Sequence, residues 1–345
     1  MKKVQRILVL QMKRIGDLIL TAPALEDLRG AYPEAEIELV TSGGCQDLAE
    51  CLPGLARVLA YHPRRLNAGV WAAVTAGEWD LCLDFTGTDR SALLTRLSGA
   101  GTRIGYQKFS GKGLRAGAYT RFCGASVRDL HTVVFHQALA AEACGVTGRT
   151  DGAEAFHFSE RLLERLKEKI KDNGVREPFA ILHPGTARRE KFWPAERWVE
   201  VAKTLRHLGC QVVLTGTGTG LEAEDVAHIR EHAEVVDLTG MLSLGELAAF
   251  MRRSRLAAGV DSMAMHLAAL WQVPQVVLYG PTNPFHWRPL HDRAVVLTSN
   301  QEGPVTLFEP HMRGGEMERL QVSTVVDAVE SLWEHTIASK AEDVG

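Results

Sequence analysis

The 345-residue chain carries almost no net charge: 39 Lys+Arg face 42 Asp+Glu, a formal −3. No global positive field exists to hold nucleic acid through its phosphates, so no nucleic-acid partner is expected and any anion must be met locally. Cysteine is sparse and scattered: Cys45, Cys51, Cys82, Cys123, Cys144 and Cys210 form no C-x-x-C pair. That pattern argues against a zinc site and against a disulfide framework, and it fits a reducing cytoplasm. Long apolar runs are missing too. Ile7–Leu10 is too short for a signal-peptide core, and Leu256–Tyr279 is interrupted by Asp261, His266, Gln272 and Pro274, so it reads as a buried helix and strand and not a membrane span. There is no internal repeat and no low-complexity segment. With 46% apolar and 23% charged residues, the composition is that of a globular protein of about two domains.

What the chain does have is a steady alternation of short aliphatic runs with amphipathic stretches, the βαβ rhythm of parallel sheets. In the first half the pattern predicts strands at 6–10, 36–40, 58–60 and 81–85, with helices at 19–31, 46–51, 66–76, 91–97 and 132–144. A charged amphipathic helix at 158–172, ending at Asn173-Gly174 before Pro178, marks a boundary. The rhythm then restarts, with strands at 179–183, 211–215, 235–237, 256–258 and 276–279 and helices at 195–207, 221–232, 244–253 and 262–270. Two tandem parallel sheets of this kind place a ligand in the cleft between them, at the carboxyl ends of their strands.

Four loops carry chemistry. After the first strand, Lys13-Arg14-Ile15-Gly16-Asp17 sets a carboxylate beside two cations ahead of a helix; Asp17 reads either as a helix cap or as a catalytic group. His183-Pro184-Gly185-Thr186 is followed by Arg188, Arg189, Lys191, Phe192, Trp193 and Pro194, which reads equally as an anion site or as a solvated basic loop. Asp261-Ser262-Met263-Ala264 opens a helix whose free amides suit a diphosphate, whereas His266, one turn in, reads as a core histidine. Thr215-Gly216-Thr217-Gly218-Thr219-Gly220-Leu221, with Asp237 downstream, imitates a dinucleotide fingerprint, but Leu221 occupies the place of its third glycine. Finally, residues 101–130 hold six cations (Arg103, Lys108, Lys112, Arg115, Arg121, Arg128) against Asp129 alone, with six glycines. That composition predicts a long basic loop, suited to an anionic lipid or polyphosphate or simply solvated.

Taken in order, K-R-I-G-D at 13–17, H-P-G with K-F-W-P at 183–194, D-S-x-x-x-H at 261–266 and Tyr279-Gly280-Pro281-Thr282 resemble the ADP-heptose:lipopolysaccharide heptosyltransferases of glycosyltransferase family 9. The likeness runs from about residue 4 to about 290. The run Phe285-His286-Trp287-Arg288-Pro289-Leu290 looks more like the heptosyltransferase III branch than the first two. The resemblance implies an α/β GT-B fold, two Rossmann-like parallel-sheet lobes facing a central cleft: an acceptor lobe at 1–157, a connecting helix and linker at 158–177, a nucleotide-sugar lobe at 178–322, and a C-terminal helix at 323–345 packing back on the first lobe. It further implies an inverting, metal-independent transfer with no cofactor, in which ADP-heptose is the donor.

Asp17 matches the family's general base and Lys191 the lysine that holds the donor diphosphate. The donor set is completed by Thr186, Arg188, Glu222 (with Glu224 as an alternative alignment), Asp261, Ser262, Met263 and His266. Met263 stands where the family carries a small residue. Lys13, Arg14, Arg90, Arg115 and Arg121 are the expected contacts of a phosphorylated lipid A-core acceptor, met on the cytoplasmic face of the inner membrane with the protein held peripherally there. Two rival readings remain: a nucleotide-sugar-binding protein without turnover, and an NAD-dependent oxidoreductase resting on the broken glycine turn.

Overall fold

The computed structural model describes residues 3–52, 54–109, 115–145, 147–148 and 156–342; Gly111, Lys112 and Gly113 of the basic segment lie outside them. The chain divides into two compact units, Met1–His157 and Phe158–Gly345.

In the first unit the strands are β1 (Arg6–Gln11), β2 (Glu36–Ser42), β3 (Leu55–Tyr61), β4 (Leu81–Asp84), β5 (Thr102–Tyr106) and β6 (Arg121–Cys123). They form one sheet in the order β3-β2-β1-β4-β5-β6, with every pairing parallel. The helices are α1 (Ile15–Ala31), α2 (Gln46–Ala49), α3 (Ala68–Ala76), α4 (Asp89–Leu97) and α5 (Thr132–Cys144). Ile7 to Leu10 of β1 are wholly buried, as a central strand covered on both faces requires.

The second unit repeats the plan. Its strands are β7 (Phe179–His183), β8 (Gln211–Leu214), β9 (Val236–Asp237), β10 (Leu256–Val260), β11 (Gln275–Tyr279) and β12 (Ala294–Thr298), ordered β12-β11-β10-β7-β8-β9 and again all parallel. The helices are α6 (Glu160–Asp172), α7 (Ala195–His207), α8 (Ala223–His232), α9 (Leu244–Met251), α10 (Met263–Leu270) and α11 (Val322–Glu342).

Three placements add to the sequence expectation. The glycine-rich basic segment is not one loop, because β5 and β6 are cut from it: Ile104, Gly105 and Tyr106 are buried between β4 and β6. The α6 helix, expected as a connector, docks on the second unit, where Arg165 and Lys169 pair with the buried Glu246 of α9 at 3.1 and 2.6 Å. The C-terminal helix places its apolar face, Val325, Ala328, Val329 and Trp333, in the core of the second unit beside Trp198 and Leu278. No described helix is long and apolar enough to cross a membrane.

Candidate functional site

Each unit concentrates its candidate residues at the carboxyl ends of its strands, where parallel sheets leave loops free to bind. In the first unit α1 starts at Ile15, four residues before the apolar pattern suggests, so Asp17 lies in the first helical turn instead of a loop. It is not the cap: Arg14 occupies that position and makes no capping side-chain bond. The turn is held from beneath by buried polar groups. Gln11 Nε2 donates to Thr21 Oγ1 at 2.7 Å, and Thr21 Oγ1 donates to the Asp17 carbonyl at 2.7 Å. The Met12 amide is tied to Thr86 Oγ1 at 2.8 Å.

The Asp17 side chain is 30% exposed, with Lys13 Nζ 3.9 Å from its Oδ1. Burial raises its carboxyl above the usual 3.8, and the Lys13 charge and the Arg14 amide only partly offset that. A carboxylate so placed is a stronger base than one in water. Beside it the sequence reading missed a buried pair: Tyr106 at the end of β5, whose hydroxyl lies 2.8 Å from His136 Nδ1. Both are fully enclosed, burial holding the imidazole well below its ordinary value. The signal was weak, since His136 sits unmarked in an apolar helix.

The cations expected to meet an acceptor are distributed unevenly. Lys13 and Arg14 flank Asp17; Arg90 opens α4 with its guanidinium over the Tyr61 ring at 5.2 Å; and Arg115 pairs with Asp89, at the start of α4, at 2.6 Å. All four belong to the carboxyl edge of the sheet. Arg121 does not. It begins β6, pairs with Glu142 near the end of α5 at 3.3 Å, and acts electrostatically on Tyr32 beyond the far end of α1, so it belongs to the edge opposite Asp17.

In the second unit the H-P-G loop, the K-F-W-P segment and the D-S-x-x-x-H helix start are assembled around Asp261. Lys191 ends a single 3-10 turn and is anchored by the two aromatic residues after it. Phe192 and Trp193 are buried, the latter donating to the Leu320 carbonyl at 3.0 Å and meeting Trp198 edge-on at 5.0 Å. The Lys191 ammonium lies 2.6 Å from Asp261 Oδ2; Thr282, from the Y-G-P-T run, donates to the same oxygen at 2.8 Å; and Thr186 reaches the Asp261 carbonyl at 3.4 Å. The sequence marks the Y-G-P-T motif but assigns Thr282 no role in it. Ser262 is the N-cap of α10 yet makes no capping bond, and its buried Oγ has no partner. The first-turn amides of α10 are therefore uncapped by the Ser262 side chain, beside a half-buried ammonium, an arrangement that suits an anion. Met263 is half-buried, and His266 is buried and held below its ordinary pKa, chiefly by that burial.

Arg188 is exposed and paired with Glu190, whereas Arg189 is engaged by Asp225 at 2.7 Å and stacks on Phe192. Glu222 is buried, whereas Glu224, the other acid considered for the same role, is exposed. Glu222 Oε1 accepts from the Thr217 and Gly218 amides and from Thr217 Oγ1. These are the amides that a dinucleotide's pyrophosphate would need, and the carboxylate already fills them. Gly185 is required on the other side, since a Cβ there would fall inside the Glu222 carboxylate. Asp237, the other support of the dinucleotide reading, is spent on Thr239 and Arg230. Among the described residues no group of three or more His, Cys, Asp or Glu could hold a metal ion.

Two parallel six-stranded units of this construction, with an anion site at the carboxyl edge of the second, define the GT-B architecture of nucleotide-sugar transferases. Residues 68–311 match the family model of glycosyltransferase family 9 (heptosyltransferase), and the chain belongs to that family. It is 28% identical over 291 residues to lipopolysaccharide heptosyltransferase 1 of Pseudomonas aeruginosa, covering 81% of this chain and 79% of the relative. To lipopolysaccharide heptosyltransferase 3 of Escherichia coli it is 26% identical over 300 residues, 81% of this chain and 83% of the relative; overall identity does not separate the two branches. A solved family 9 glycosyltransferase from Veillonella parvula superposes with a TM-score of 0.81 at 26% identity, covering 97% of this chain and 99% of that one.

Proposed function

We propose that the protein is an inverting heptosyltransferase that moves heptose from ADP-heptose to a hydroxyl of the lipopolysaccharide inner core. The observation that carries the donor half is the Lys191–Asp261 pair set against the uncapped start of α10 in a family 9 chain. The acceptor oxygen attacks the anomeric carbon of the heptose as the bond from that carbon to the ADP phosphate oxygen breaks, and the acceptor proton passes to Asp17. Because a carboxylate is a weak base for an alcohol, the proton moves late, as charge develops on the attacking oxygen.

The departing diphosphate gains negative charge in the same step. Lys191 and the amides of Ser262, Met263 and Ala264 meet that charge in a preorganised, buried setting, which is the work a divalent ion does in other transferases. Asp261 acts through Lys191: with Thr282 and Thr186 it fixes where the ammonium stands. Glu222 braces the loops on which a nucleoside would rest. The acceptor would be a phosphorylated lipid A-core, met by Lys13, Arg14, Arg90 and Arg115 at a membrane surface on the cytoplasmic side of the inner membrane. The same arrangement without turnover would serve a nucleotide-sugar-binding protein, and one experiment separates them.

That experiment is mass spectrometry of a truncated lipopolysaccharide core incubated with ADP-heptose and either wild-type or Asp17→Asn protein. A heptose added by wild type alone, with donor affinity retained in the variant, is the expected result. Donor binding without addition by wild type would leave only the binding protein; addition by both proteins would remove Asp17 as the base.

A further inference from the structure

The loop from β3 to α3, His62-Pro63-Arg64-Arg65-Leu66-Asn67, belongs to neither the donor nor the acceptor residues. Leu66 is 90% exposed, the most exposed large apolar side chain among the described residues, and it stands next to Arg64 and Arg65, both exposed. Neither arginine is paired with an acid among the described residues, in contrast to Arg115 and Arg121. The loop is also braced. Asn67, in the left-handed region at φ 52°, accepts from the His62 amide at 2.8 Å and donates to the carbonyls of His62 and Arg65 at 2.8 and 2.6 Å. Leu66 is thus displayed outward by a tied loop and cannot easily fold back onto the core.

The helix after this loop continues the surface. α3 reads Ala-Gly-Val-Trp-Ala-Ala-Val-Thr-Ala and contains no charged residue. Val70 and Val74 face the core with Tyr61 and Trp79, leaving Ala68, Gly69, Ala72, Thr75 and Ala76 exposed. A surface helix normally turns charge outward; this one turns small, apolar groups. We propose that the tip Arg64-Arg65-Leu66 and the outer face of α3 dock on an anionic lipid bilayer, with Leu66 entering the acyl boundary and the two arginines at the headgroups.

The chemistry favours lipid over protein. A stable protein interface buries on the order of 800 Å² from 20–30 residues a side, more than one tied loop and one nine-residue helix supply. The outward face of α3 has Thr75 as its only hydrogen-bonding side chain, so it suits a partner that needs no directional contacts. Two unpaired cations beside an exposed leucine match an anionic surface over an apolar interior. The placement fits as well: β3 runs parallel to β2 and β1, so the tip and the Asp17 turn lie at the same edge of the sheet. Docking there would bring the Asp17 edge toward a membrane-borne acceptor, and the inference rests on the reading that the acceptor is such a glycolipid.

The test is co-sedimentation of the full chain with phosphatidylcholine vesicles containing or lacking phosphatidylglycerol. Wild type is expected to bind the anionic vesicles and to be released by salt. Arg64→Ala and Arg65→Ala should each weaken binding by about fivefold, and Leu66→Ser by about tenfold, with no loss of thermal stability because the side chain is exposed. Transfer to a delipidated, water-soluble core should be unchanged in Leu66→Ser. Wild type that transfers heptose to the soluble core yet leaves vesicles unbound overturns the docking surface and leaves the transferase standing. Leu66-dependent vesicle binding in a protein that transfers nothing does the reverse. A Leu66-dependent dimer that ignores vesicles overturns the proposal in favour of a second copy of the chain.

Discussion

At the scale of single residues, two ion pairs stand at the proposed chemistry and each can be broken separately. Lys13 stands 3.9 Å from Asp17, and its charge is the largest of the influences that hold the Asp17 carboxyl down against its burial. Activity should fall as pH drops through the Asp17 pKa, because the base must be ionised to accept the proton. Lys13→Met removes the cation that favours ionisation, so the acid limb of the kcat profile should move to higher pH; an unmoved limb would mean that the ion pair is not felt at the base. In the second unit, Lys191→Ala deletes the charge proposed to meet the diphosphate, and donor affinity should fall about 10- to 100-fold, measured by calorimetry with ADP. Gly185 is a subtler case. A Cβ there collides with the Glu222 carboxylate, which would have to leave the Thr217 and Gly218 amides. Gly185→Ala should therefore cost about 1–3 kcal/mol of stability and raise the donor KM together with it.

At the scale of elements, the strands that read easily were those with long aliphatic runs, such as β1, β2, β7 and β11. α5 and α7 were legible from end to end because their apolar spacing begins and ends at clear stops. β5 and β6 were not legible. Thr102-Arg103-Ile104-Gly105-Tyr106 carries a cation and a glycine among only two large apolar residues, and it becomes a strand because tertiary packing supplies what composition lacks: Gly105 lets the Tyr119 ring lie against the backbone, and the Tyr119 hydroxyl donates to the buried Asp84 at 2.7 Å. The residues proposed to hold the donor stand in motifs visible in the sequence, whereas the hydrogen bonds that Lys191, Thr282 and Thr186 make to Asp261 required the fold. Cutting the basic segment into two strands also changes an expectation. Sequence alone treats Arg115 and Arg121 alike, but they stand at opposite edges of the first sheet. Arg115→Ala should raise the acceptor KM and flatten its salt dependence, while Arg121→Ala should leave both unchanged; equal effects from the two would contradict that assignment.

At the scale of the whole molecule, each unit closes its own core beneath functional loops, and the polar groups buried under those loops make stability depend on pH. His183, at the end of β7, lies 3.0 Å from Thr215 Oγ1 and is pushed down to about 4 by burial, with Glu222 opposing. His136 and His266 are lowered for the same reason. An unfolded histidine titrates near 6.5. Between about 6.5 and 4, then, the unfolded chain takes up a proton that folded His183 refuses, so its contribution to stability is whole above that window and is lost as pH falls through it. Asp17, Asp27 and Asp84 act in the opposite sense, since their carboxyls are raised by burial and hold protons more tightly when folded. The wild-type slope is thus a difference of opposed terms, and one substitution isolates the histidine. In His183→Asn the amide oxygen can keep the Thr215 hydroxyl as its partner, and no proton is taken up on unfolding. The variant should lose less stability than wild type between pH 7 and pH 4.5, the gap narrowing by on the order of 1–3 kcal/mol. Thermal melts of the two proteins across that range decide the matter: converging curves place a buried neutral imidazole under the H-P-G loop, and parallel curves mean that His183 is protonated as readily folded as unfolded.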